Sequence, residues 1–105
     1  MAFANTKRRY ASFGTVESIP GDIIDLFWYL IDNDLKGAFP LSTVLNFELI
    51  QTPKGQLSVR FSQDDMPEFS ILFDTSYGFD RRWPRLFHAV DNTGRETITT
   101  PAEMI

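Results

Sequence analysis

The spacing of apolar and polar positions changes period along the chain, from a helical repeat to a strand repeat. Ile23, Leu26, Phe27, Leu30 and Ile31 recur at helical spacing and form one stripe. Asp22, Asp25, Tyr29, Asp32 and Lys36 make the opposite, wet face. Pro20 suits the first helical position, where its missing N–H would have no partner, and Asp22 suits the positive end of the helix dipole. Gly37 can take the left-handed closing conformation, and Pro40 prevents continuation. The pattern therefore predicts one amphipathic helix over residues 20–36. Asp32 and Lys36 stand four apart with the acid first, the order that favours a helical ion pair.

Beyond the helix the period is two. Leu45, Phe47 and Leu49 alternate with Asn46, Glu48 and Ile50, and Leu57, Val59 and Phe61 alternate with Ser58 and Arg60. Between these runs Thr52-Pro53-Lys54-Gly55 is a turn sequence, so the pair predicts a hairpin. Phe69, Ile71 and Phe73 mark a further half-buried strand. Residues 85–90 read as another, Asp91-Asn92-Thr93-Gly94 as a tight turn, and residues 96–100 as a last strand stopped by Pro101. Before the helix, residues 9–16 are rich in aromatic and β-branched side chains and read as a first strand. Gly14 there would mark a bulge or a close backbone contact. The order β-α-β-β-β-β-β predicts an α+β fold, with one helix packed on a five- to six-stranded, mostly antiparallel sheet.

Length and composition narrow this to one domain. A chain of 105 residues is of single-domain size, and 43% hydrophobic residues with ten Phe supply a core. Residues 1–8 are polar and basic and are expected to form a flexible arm. The absence of cysteine excludes disulfides, thiolate metal sites and cysteine nucleophiles. No apolar run has signal-peptide or membrane-spanning length, which sets a cytoplasmic location as the expectation. The net charge of −4 is unevenly spread, with an acidic middle between small basic patches near each end. An acidic middle disfavours broad contact with phosphate backbones.

Several short motifs, in order, carry a resemblance: Arg9-Tyr10, Ile19-Pro20, Phe27-Trp28, Ile31-Asp32, Phe47-Glu48-Leu49, Ser62-Gln63 and Pro67-Glu68. They are similar to those of an uncharacterised bacterial family, domain of unknown function 960, found mainly in Gram-positive bacteria and their mobile elements. The resemblance covers residues 9–68. It implies a small α+β domain of similar length and no particular activity.

Four features are candidates for chemistry or recognition. His88, the single histidine, could serve as an acid–base group, but a hydrogen-bonded structural histidine is the reading preferred here. Asp64, Asp65 and Glu68 cluster carboxylates in one turn. They lack the alternate ligands and glycine of a calcium loop, so a solvated turn fixed by Gln63 and Glu68 is expected. Trp28 widens the helix stripe, either into the core or as an aromatic edge for a partner. The segment with Tyr77, Phe79, Arg81, Arg82, Trp83 and Arg85 interleaves aromatics and arginines. It could anchor a protein partner or a second copy of the chain, or fold back over the core with its arginines paired to acids. Together these predict a non-enzymatic interaction domain without metal or cofactor, able to self-associate through Trp28 or the 77–85 segment. The alternative is a small nucleic-acid binder using Arg8, Arg9, Arg81 and Arg82.

Overall fold

A computed structural model describes residues 2–38 and 40–104; Met1, Phe39 and Ile105, the first of them in the expected arm, lie outside the described residues. The chain runs β1 (Arg8–Ala11), α1 (Phe13–Ser18), α2 (Gly21–Leu30), β2 (Val44–Gln51), β3 (Gln56–Ser62), β4 (Ser70–Gly78), β5 (Leu86–Asn92) and β6 (Arg95–Thr99). The strands form one six-stranded sheet in the order β1-β6-β5-β2-β3-β4. Only β1 and β6 run parallel; the other neighbours are antiparallel, so the fold is the α+β arrangement that the periods imply.

The sheet is apolar on the face that carries α2. Phe47 at the centre of β2 stands opposite Phe61 of β3 and Phe87 of β5. Phe27 of α2 stacks on Phe47 at 5.0 Å between ring centroids and meets Phe87 at 5.8 Å. Around this aromatic centre Ile23, Leu30 and Ile31 from the helix and Leu45, Leu49, Val59, Ala89 and Ile98 from the sheet are buried. Leu26, on the flank of the helix, is half-buried, and Leu35 takes a buried place instead. Pro20 caps the helix rather than beginning it. The last turn, Ile31–Leu35, widens to π-helical bonding, with Lys36 N–H donating to the Ile31 carbonyl at 3.0 Å. Gly37 then closes with φ 80°, and Asp32 and Lys36 form the expected ion pair at 3.2 Å.

The first strand departs from the sequence reading. Strand β1 stops at Ala11, and residues 13–18 are helical. The reason is Ser12, whose hydroxyl accepts from the Thr15 N–H at 3.2 Å and caps the new helix. Thr15 turns inward and is buried, whereas Phe13 and Val16 point outward and are 75% and 60% exposed. Gly14 is indeed a point of close approach. The Glu103 carboxylate, from the turn Pro101–Met104 after β6, accepts from Gly14 N–H at 3.0 Å and from the Ser12 and Thr100 hydroxyls. A Cβ on Gly14 would lie 2.7 Å from Glu103 Oε1.

These hydrogen bonds, the one from Ser12 foremost, hold the Glu103 carboxyl down at about 2. A carboxyl whose folded pKa is depressed stabilises the fold above its ordinary pKa, and the contribution is lost as pH falls toward the folded value. Glu103→Gln is therefore expected to lower stability at neutral pH while leaving it unchanged near pH 2. Urea melts of both proteins across that pH range check the convergence.

The segment before β1, read from sequence as an arm, packs against the sheet. Phe3 is fully buried in the core cluster, and its N–H donates to Asp91 Oδ2 at 2.8 Å. Lys7 N–H donates to the Gly94 carbonyl at 2.8 Å. Gly94 and Thr93 both have positive φ, the signature of a two-residue hairpin turn between β5 and β6. A Cβ at Gly94 would lie 2.7 Å from the Asn5 carbonyl, so the passing chain also needs the glycine.

Candidate functional site

The aromatic and arginine segment divides into inward and outward parts. Tyr77 belongs to β4, which extends beyond the strand predicted around Phe69, Ile71 and Phe73. Phe79 and Trp83 are half-buried against the core and meet edge to face at 6.1 Å. Arg85 lies over the Phe79 ring at 4.5 Å. Arg82 is tied to Asp80 at 2.8 Å, and that guanidinium holds the Asp80 carboxyl down at about 2. The segment thus covers one end of the core, and its exposed side chains include Tyr77, Arg81, Arg82 and Arg85.

Trp28 is half-buried, and Arg9 lies over its ring at 4.6 Å. Arg9 Nε also donates at 3.0 Å to Glu96, a carboxylate with 0% exposure, which takes a second bond from the Thr6 hydroxyl. The other end of the guanidinium grips both oxygens of Asp32 on the helix. The bonds from Arg9 first, and then the one from Lys36, hold the Asp32 carboxyl below the usual carboxylate range. Arg9 therefore joins β1, β6 and the helix, a structural duty for a side chain that the nucleic-acid reading assigns to phosphate. Arg8, one residue earlier on β1, is exposed.

His88 lies on the face of the sheet opposite α2, in an open depression of about 330 Å³ with Asn46, Glu48, Asp64 and Arg85. Its Nδ1 is 2.8 Å from Asn46 Oδ1, while Asn46 Nδ2 donates to Asp64 at 2.9 Å. With Asn46 oriented by Asp64, Nδ1 carries the imidazole proton. Partial burial lowers the His88 pKa from its ordinary value, against the opposing pull of Asp64. In the neighbouring turn Gln63 is buried and ties the turn to the segment before β2, accepting from Ser42 N–H at 2.6 Å, while Glu68, expected to fix the turn with it, is exposed, as is Asp65. No group of three or more His, Asp or Glu among the described residues is placed to hold a metal ion.

The feature that sequence reasoning missed is the edge of the sheet formed by β4. It pairs with β3 and ends the strand order. Sheet edges are normally blunted by lysine, proline, shortness or a cover, because their free N–H and C=O groups template further pairing. Edge strand β1 is four residues long, carries two arginines and turns at once into α1. Strand β4 spans nine residues with neither lysine nor proline, and its single charge, Asp74, is held by the Ser58 hydroxyl at 2.6 Å. Leu72 at its middle is 51% exposed, and Phe69 and Tyr77 near its ends are also exposed. Beside Tyr77 an open groove of about 440 Å³ runs along α2, lined by Asp22, Asp25, Leu26 and Tyr29. The one sequence signal for this surface is the freedom of residues 70–78 from lysine and proline. Strand order, which makes them an edge, is not written locally.

These features define an α+β domain of one main helix, one short helix and a six-stranded sheet with an open edge. The chain belongs to the family described as staphylococcal protein of unknown function (DUF960), whose pattern it matches over residues 8–103. That span includes the 77–85 segment, beyond the reach of the motifs that carry the resemblance. The fold is similar to the crystal structure of a protein of unknown function from Enterococcus faecalis. The two chains are 38% identical with a TM-score of 0.90, over 94% of this chain and 92% of that one. None of the curated proteins matches the chain. No helix among the described residues is long and apolar enough to cross a membrane.

Proposed function

We propose that this chain is a non-enzymatic protein-interaction domain that binds its partner by strand addition at β4. The observation that carries the reading is the unblunted edge of Ser70–Gly78, with Leu72 and Tyr77 exposed beside it. Strand addition draws affinity from main-chain hydrogen bonds and specificity from alternate side chains. Here those side chains would meet Leu72 on the open face and the groove along α2 on the other. Of the arginines in the 77–85 segment, Arg81 and Arg82 follow this edge and Arg85 lies over Phe79, whereas Phe79, Trp83 and Trp28 support the fold behind it.

Selection of random peptides displayed on phage, followed by amide mapping of the chosen peptides, tests the reading. The expected winners are extended segments of alternating apolar and polar residues that shift and protect the amides of β4. Winners that map to the exposed Phe13 and Val16 of α1 would remove strand addition.

A further inference from the structure

We infer that the strand added at β4 is β4 of a second copy of this chain, antiparallel about a two-fold axis through Leu72. The inference rests on the strand-addition reading and names its occupant. Strand β4 pairs regularly with β3 from Ser70 to Asp74, after which the register shifts between Ser58 and Gln56. That irregularity limits the even stretch of free edge to residues 70–74, whose centre is Leu72. A two-fold axis there places Leu72 against Leu72 on the open face. It places Ile71 against Phe73 twice on the helix face, and Ser70 against Asp74 twice. Apolar side chains thus meet apolar ones, and each carboxylate meets a hydroxyl. Centring the axis on Asp74 instead would oppose two carboxylates, which is unfavourable.

Charge at the two ends of β4 selects the same arrangement. The turn before it exposes Asp65 and Glu68, and the segment after it exposes Arg81 and Arg82, which with Asp80, the partner of Arg82, leave a net positive charge. Antiparallel pairing brings the acidic end of each copy to the basic end of the other, so the attraction is made twice. A parallel pairing would set like against like. Reciprocal contacts of this kind are what a two-fold interface requires.

The chain has no cysteine, so Leu72→Cys introduces a single thiol. Directly opposed residues of antiparallel strands lie about 4.5–5.5 Å apart at Cα, within disulfide reach. Under mild oxidation L72C is expected to form a covalent dimer at least about tenfold faster than S76C, which faces no equivalent residue in this register. Sedimentation of the wild-type chain should show a dimer that grows with concentration and weakens with salt. The acidic variant R81E/R82E and the basic variant D65K/E68K should each be monomeric, and mixing them should restore a dimer, because both contacts are then complementary. Folded variants that fail to associate on mixing, equal cross-linking of L72C and S76C, or a wild-type chain monomeric at every concentration would each overturn the self-pairing. Peptides that still map to β4 would then leave strand addition standing with a different partner.

Discussion

Replacing Arg9 with methionine is expected to cost about 3–5 kcal/mol of folding stability, because it strands a buried carboxylate. Glu96 is fully buried, and its two bonds come from Arg9 Nε and the Thr6 hydroxyl. Methionine keeps much of the apolar stem but removes the guanidinium, and with it the positive charge and the contact over Trp28. The bonds from Arg9 to Asp32 contribute little to the total, since that carboxylate is 37% exposed and such pairs are worth up to about 1 kcal/mol. Adding Glu96→Gln to the Arg9 variant removes the stranded charge and is expected to recover at least about 1 kcal/mol. A cycle of urea melts measures that coupling, and a value near zero would show that Glu96 needs no cation. The same variant alters the acid limb. Arg9 holds the Asp32 carboxyl low, so its stabilising effect is present above the ordinary carboxylate pKa and lost as pH falls below it. Without Arg9 that part of the acid dependence should flatten.

Arg9 also shows where a linear reading reaches its limit. The helix, the central hairpin and the last two strands were legible because each is coded by a local period. Phe47, Phe61 and Phe87 alternate within their own strands, and Phe27 repeats within the helix. The turns were legible for the same reason, as Gly37, Gly55 and Gly94 all adopt the positive φ that turns demand. Residues 9–16 misled because aromatic and β-branched composition outweighed one capping serine. Phe13 and Val16, strand-like by propensity, stand on a short helix that Glu103 clasps from 89 positions away at Gly14. The role of Arg9 depends on Glu96 and Asp32, 87 and 23 positions away. The β4 edge depends on strand order, which pairwise local patterns leave open. Apart from the capping serine, the missed features are long-range pairings, whereas the features read are short-range repeats.

The segment before β1 offers the second large effect. Phe3→Ala is expected to cost about 3–5 kcal/mol, the range for a buried aromatic truncated in a core. Phe3 has 0% exposure and belongs to the same buried cluster as Phe47. Its backbone sits at φ 61°, a left-handed conformation that costs a non-glycine residue about 1 kcal/mol, so the contacts it makes must outweigh that cost. Those contacts are the buried ring and the N–H bond to Asp91, and the bond from Lys7 to Gly94 fixes the same segment further along. Phe47→Ala, at the centre of the sheet, sets the scale for a full core loss. Phe13→Ala, on a side chain 75% exposed, sets the scale for a surface change of about 0.5 kcal/mol or less. Urea melts of the three variants place Phe3 on one of these two scales, provided the dependence on denaturant stays constant. A loss like that of Phe47 makes residues 2–7 part of the core. A loss like that of Phe13 makes them the arm that their polarity suggests.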